Sequence, residues 1–190
     1  MKYVSVDIET TGVNPYMCQV IEIGAVVDDL REQRPIEELP KFHCYVVHPI
    51  FQGEPFALSM HPAIFKRIAK REVGYDYYEP GQVPEIFHGW LCHHYPGYPD
   101  QEKVNFAGKN FAAFDLQFLN RLPGWDDWVK YRHRILDPGM LLLRAGDTAL
   151  PDSSECRKRI GESRGVTHTA VPDAMDVVKM LRKGWEKIIK

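Results

Sequence analysis

The sequence predicts an α/β domain built on a mixed β-sheet. Three strand-like stretches appear early in the chain, and from residue 104 onward short apolar strand runs alternate with helical patterns. Size bounds the answer: 190 residues, 44% of them hydrophobic, can bury one good core and are few for two, so residues 1–190 are expected to form a single domain.

Residues 3–8 alternate apolar and polar side chains, and residues 20–27 do so in part, so both read as strands. Between them Thr11, Gly12, Asn14 and Pro15 are turn formers, which suits a hairpin-like connection, and residues 42–47 read as a third strand. Residues 55–69 are expected to be a loop and then a helix capped by Ser59, with Ile64, Phe65 and Ile68 on one face. Residues 72–103 carry little periodicity beyond a helix near 85–93, and read as a family-specific insertion or a mobile segment. A short strand follows at 104–107 and a helix at 112–121 that Asn110 could cap. Residues 135–143 end a strand at Asp137 and turn helical after Pro138. The clearest helix is 173–189, where Ala174, Val177, Val178, Leu181, Trp185 and Ile188 recur at helical spacing.

The formal net charge of −2 lacks the basic surplus of a typical DNA-binding domain, so binding by bulk charge is not expected. Cys18, Cys44, Cys92 and Cys156 lie far apart without a C-x-x-C spacing, which favours free thiols in a reducing compartment. Cys44 with His48, or Cys92 with His93 and His94, make poor zinc-ligand sets. Asp7 falls where a signal peptide would continue its apolar run, and no stretch has membrane-spanning length, so a soluble, cytoplasmic protein is expected.

Asp7 and Glu9 stand two apart on a strand and so share a face, while Val6 and Ile8 point to a core. Two adjacent acids repel, which is tolerable when an oxygen-seeking cation such as Mg²⁺ or Mn²⁺ lies between them. Asp115 is an acid in an apolar helical stretch; alone, it reads equally well as an exposed helix position. Asp173 opens the long helix, where an acid also favours the helix dipole, so by itself capping is an even alternative.

Together these residues make a specific pattern. Asp-x-Glu-Thr-x-Gly from Asp7 to Gly12, Asn-x4-Asp from Asn110 to Asp115 and His-x4-Asp from His168 to Asp173 resemble the three motifs of the DEDDh 3′→5′ exonucleases. That superfamily includes the DnaQ-like proofreading subunits, ribonuclease T and oligoribonuclease, and the resemblance in order and spacing covers nearly the whole chain. The spacing of Asn110 is closer to the oligoribonuclease type and Glu9-Thr10-Thr11-Gly12 to the proofreading type, so the subfamily stays open.

The resemblance implies a ribonuclease-H-like fold with a central mixed sheet of five strands flanked by helices. It implies two divalent metal ions, Mg²⁺ or Mn²⁺, bridged by Asp7, with Glu9 and Asp173 completing one site and Asp115 supporting the other. His168 would then be the general base, a role suited to an imidazole whose ordinary pKa is ~6.5, on a loop mobile enough to swing inward. The implied substrate is the 3′ end of single-stranded DNA or RNA, cleaved to nucleoside 5′-monophosphates. Thr10, Thr11 and Gly12 would meet it through the main chain, Val13 would wedge against the last base, His61 would flank the pocket, and Asn110 would join them in binding substrate. Two other readings stay open: an oligoribonuclease-like enzyme for short oligonucleotides, and a non-catalytic nucleic-acid-binding protein. A homodimer is also left open. Basic clusters at Lys66, Arg67, Lys70 and Arg71, at residues 130–134, and at residues 157–159 read first as solvated faces and second as phosphate tracks.

Overall fold

The computed structural model describes residues 1–162 and 168–189. In chain order the elements are β1 (Lys2–Thr10), β2 (Val20–Asp29), β3 (Lys41–Val46), α1 (Pro55–Met60), α2 (Pro62–Lys70), β4 (Tyr77–Tyr78) and α3 (Val83–His94). There follow β5 (Phe106–Ala107), α4 (Asp115–Leu119), α5 (Trp125–Trp128), α6 (Pro138–Leu141), α7 (Ser153–Arg159) and α8 (Ala170–Ile188). They build a five-stranded sheet in the order β4-β3-β2-β1-β5. β1, β2 and β3 pair antiparallel, whereas β5 joins β1 and β4 joins β3 in parallel. The sheet is therefore mixed, as the order of elements predicts.

The period of two along β1 sorts the molecule into layers. Val4, Val6 and Ile8 pair with Val27, Ala25 and Ile23 and face one core with Phe87, Phe106, Phe111, Leu119 and Trp125. Tyr3, Ser5, Asp7 and Glu9 face the opposite way, toward α8. There Tyr3 packs with Ala174, Val177, Val178 and Leu181, and the Ser5 hydroxyl donates to the Ala174 carbonyl at 2.8 Å. A one-residue slip of β1 would exchange these sets and bury the acids in the wrong layer.

Three local expectations change. Residues 55–69 form two helices, because the residue before Pro62 is pushed out of the helical region: His61 sits at φ −115°, ψ 37°. Ser59 lies inside α1 and caps nothing; its hydroxyl donates to the Phe56 carbonyl at 2.7 Å. Asn110 does not cap a helix beginning at 112. It takes a left-handed conformation, φ 58°, its carbonyl accepts from the Ala113 and Phe114 N–H groups, and regular helix starts only at Asp115. Within residues 72–103, α3 and the turn after it place Val83, Phe87, Leu91, Tyr95 and Tyr98 in the main core. No helix among the described residues is long and apolar enough to cross a membrane.

Candidate active site

Asp7 and Glu9 approach the end of β1, and α8 crosses this face so that Asp173, in its first turn, meets them. Carboxylate oxygens of Asp7, Glu9 and Asp173 lie within 4.8 Å of one another. The crossing is close because β2 carries Gly24 opposite Asp7: a Cβ on Gly24 would overlap the backbone of Ala170 and Val171. The sequence marks residues 20–27 as a strand, but what its glycine does depends on α8, far away in the chain. The signal was there, since Glu22 and Gly24 interrupt an apolar strand on one face.

Asp115 reaches the group along the edge of β1 that β5 occupies at Val4 and Ser5. It is buried, and its Oδ1 accepts the Ile8 N–H at 3.2 Å, so the backbone of β1 fixes its carboxylate. Asp115 is thus held in the plane of the sheet by a strand N–H, whereas Asp173 comes from α8 across its face.

The electrostatics are those of anions crowded out of water. Burial, then Asp115, Glu9 and Asp173, raise the Asp7 carboxyl well above its ordinary range. Burial first, then Glu22, Asp173 and Asp115, push Glu9 up to about 8. Asp115 goes to about 7 through burial, which the Ile8 N–H partly opposes. Asp173 is raised by burial against the lowering effect of Arg157. An all-oxygen donor set of this density fits a hard divalent cation, whose charge would relieve the repulsion.

Several partners were not legible in the sequence. Arg157, read there as part of a solvated basic cluster, is 4% exposed. Its Nη2 donates to Asp173 Oδ1 and its Nε to Asp176 Oδ2, both at 2.8 Å, so one guanidinium edge grips two carboxylates a turn apart on α8. Arg159 is likewise committed, to Asp147 and Glu155. Glu22, buried opposite Glu9 on β2, is bonded by His43 Nε2 at 2.8 Å and the Ala170 N–H at 3.4 Å. Lys109, Ser153 and Arg157 line the cleft with Asp7, Glu9, His168 and Asp173.

The remaining expected residues are distributed around this centre. His61 is buried with Nε2 3.5 Å from Glu9 Oε2, and its pKa is lowered by burial first and then by His168. His168 is exposed at φ 49° on the approach to α8. The mobility expected of the loop before it concerns residues 163–167, which lie outside the described residues.

Thr11 is spent on the fold. Its N–H donates to Gln19, its carbonyl accepts from Glu54, and its hydroxyl donates to Gln52 at 2.5 Å and accepts from Gln19 at 2.8 Å. Thr10 donates its hydroxyl to the Gly12 carbonyl at 2.7 Å. Gly12 has a packing reason to lack a side chain, because a Cβ would meet Cys18 Sγ and the Glu54 side chain. Val13 stands 69% exposed beside this loop, its N–H held by Glu54 Oε1 at 3.1 Å. The Asn110 N–H donates to Asp137, which also caps α6 by accepting the Gly139 N–H, so Asp137 serves the fold. All four cysteines are free, and the cysteine–histidine pairs form no ligand group among the described residues.

No protein-family model matches the sequence, and no curated protein matches it. Solved structures do match the fold. Cell-death related nuclease 4 (CRN-4) superposes with a TM-score of 0.61 at 15% identity, over 98% of this chain and 64% of that one. S. pombe Pop2p, in its Mg²⁺- and Mn²⁺-bound form, gives 0.64 at 17% identity, over 95% and 81%. The zinc-bound E. coli ExoI–ssDNA complex gives 0.64 at 11% identity, over 99% and 42%. The fold is ribonuclease-H-like. The chain spans about two thirds of CRN-4 and under half of the ExoI chain. In this ribonuclease-H-like fold the acids of three separate sequence stretches meet across β1 and α8.

Proposed function

We propose that the protein is a divalent-metal-dependent 3′→5′ exonuclease acting on single-stranded nucleic acid and releasing nucleoside 5′-monophosphates. The observation that carries this reading is the meeting of Asp7, Glu9 and Asp173 within 4.8 Å. Asp115, buried and bonded to the Ile8 N–H, adds a fourth carboxylate. Support also comes from the company the fold keeps, which includes a nuclease, a protein bound to Mg²⁺ and Mn²⁺, and a complex with ssDNA.

Asp7, Glu9 and Asp173 would hold one ion, and Asp7 with Asp115 a second. Bound Mg²⁺ or Mn²⁺ supplies Lewis acidity, neutralising phosphate charge and easing deprotonation of water. The chain's own residues do the rest. His168 accepts the proton of the attacking water at a ring nitrogen. Asp115, fixed through the Ile8 N–H, and Asp173, fixed through Arg157, keep their carboxylates still while charge shifts on the phosphate. Val13 and His61 border the last nucleotide, and the exposed Val13 side chain offers an apolar surface to its base.

The test is degradation of 5′-labelled single-stranded RNA and DNA with Mg²⁺, Mn²⁺ or chelator, comparing wild type with Asp115→Ala. The expected result is a ladder shrinking from the 3′ end that needs metal and vanishes in the variant. Hydrolysis of dinucleotides alone would favour the oligoribonuclease-like reading. Metal-independent or absent cleavage of every substrate would reject the enzyme.

A further inference from the structure

Away from the carboxylates, a groove of about 570 Å³ opens at the β5 edge of the sheet. It is lined by Lys103, Arg132, His133 and Arg134 together with Asn105 and Tyr131. The four basic residues are all exposed, and none takes part in an ion pair among the described residues. This contrasts with Arg157, Arg159, Lys179 and Arg182, which the fold pairs with carboxylates. Of the nearby acids, Asp29 holds the Met1 amine, Glu102 is exposed beside Lys103 without an ion pair, and Asp126 lies close to Tyr131. In a chain of net charge −2, Lys103, Arg132 and Arg134 still make a local concentration of positive charge.

The segment that lines the groove leads toward the acidic cleft. Residues 131–136 run along β5, with bridges from Tyr131 to Val104 and from Leu136 to Ala107. Leu136 lines the groove; the next residue, Asp137, holds Lys109 Nζ at 3.3 Å, and Lys109 lines the cleft. With Met1, Lys103 and Asn105 in its lining, and Phe106 opposite Val4, the groove sits level with the first residues of β1, toward the end of the strand away from the carboxylates. At the rise of a strand it is about 10–26 Å from Asp7 and Glu9, a span that several nucleotides cover.

We propose that this groove binds the sugar–phosphate backbone of the substrate strand upstream of the cleaved 3′ end, so that the protein prefers polymers to dinucleotides. The inference rests on the exonuclease reading for what occupies the cleft, but the groove's affinity for a polyanion can be measured separately. Lys103, Arg132 and Arg134 neutralise phosphates, and Tyr131 and His133 offer ring faces to unpaired bases. A cationic edge can also serve merely to block sheet-edge pairing. That role is met equally well by glutamates, so charge reversal separates the two.

The experiment compares wild type with Arg132→Glu/Arg134→Glu and Arg132→Gln/Arg134→Gln. The control, Lys66→Glu/Lys70→Glu, makes the same charge change on exposed positions of α2. Fluorescence anisotropy of a labelled single-stranded dodecamer in chelator gives affinity against salt, and hydrolysis of the dodecamer and of a dinucleotide gives KM and kcat.

The expected result is a dodecamer affinity at least tenfold weaker in the Glu pair and a shallower log–log salt slope, by roughly 1.4 for two lost contacts. Dodecamer KM rises with it, kcat and dinucleotide KM stay unchanged, the Gln pair falls between, and the control binds as wild type. Unchanged affinity and slope in the Glu pair would overturn the proposal, as would equal losses on dodecamer and dinucleotide. Binding of polyglutamate as tight as that of the dodecamer would reassign the groove to acidic proteins. If no substrate is cleaved, the exonuclease reading fails while the anisotropy still decides the groove.

Discussion

Asp115 and Arg157 act on the same group of acids in opposite senses. Asp115 is a buried anion whose carboxyl is pushed up to about 7, so without metal its charge costs stability. Asparagine keeps an oxygen to accept the Ile8 N–H and removes the charge. We therefore expect Asp115→Asn to raise the stability of the chelator-treated protein by about 0.5–2 kcal/mol, read by urea denaturation, while cutting metal-dependent hydrolysis by a factor of roughly a hundred or more. Arg157 adds positive charge beside Asp173, so on charge alone its removal should tighten metal binding. Its geometry argues otherwise, because the guanidinium ties Asp173 to Asp176 and fixes where the carboxylate points. Arg157→Met is expected to raise the Mn²⁺ concentration for half-maximal activity by about 10-fold or more, with Arg157→Lys between it and wild type. A lower requirement in the Met variant would mean that charge outweighs positioning.

At the scale of elements, the site is a crossing of α8 over β1 and β2, and the distance of that crossing is set by small residues. Gly24 is the critical one, since a Cβ there would overlap the first turn of α8. Gly24→Ala is expected to cost about 1–3 kcal/mol by overpacking, and to lower metal affinity as well, because α8 carries Asp173 with it. Thermal melts and Mn²⁺ titration of the same sample check both. The period-two pattern of β1 and the helical spacing of residues 173–189 make these two elements legible in the sequence, although α8 begins three residues earlier, at Ala170. The helix at 112–121 was misjudged because its apolar residues suit a helix, whereas Asn110 in a left-handed turn delays helix until Asp115. Residues 72–103 showed little period because their buried groups come partly from turns: Tyr95 and Tyr98 reach the core from outside α3.

For the whole molecule, crowding of carboxylates couples stability to pH and to metal. Glu9 rises from an ordinary 4.5 to about 8 and Asp115 from 3.8 to about 7, so the folded, ion-free protein keeps protons that the unfolded chain has released. More protons bound in the folded state means that stability falls as pH rises. The loss begins above about 4 and continues to about 8, where these groups ionise even when folded. In chelator, the melting temperature should therefore decline across that window. Mg²⁺ or Mn²⁺ should raise it most at the alkaline end, where the carboxylates are free to bind. A flat profile in chelator would show that water or local relaxation screens the acids.

The sequence by itself determined the α/β class, the strands that carry Asp7, Glu9 and Glu22, and the acids that converge. Strand and helix periods are local properties, and Asp7, Glu9, Asp115, His168 and Asp173 stand in short motifs readable one stretch at a time. Only the tertiary structure decided that Arg157 is a buried clamp on Asp173 and not a solvated cation, that Gly24 sets the approach of α8, and that the cations of residues 132–134 share a groove with Lys103. The physical reason is the same in each case: burial, steric contact and ion pairing depend on what lies across space, and residues far apart in the chain supply it.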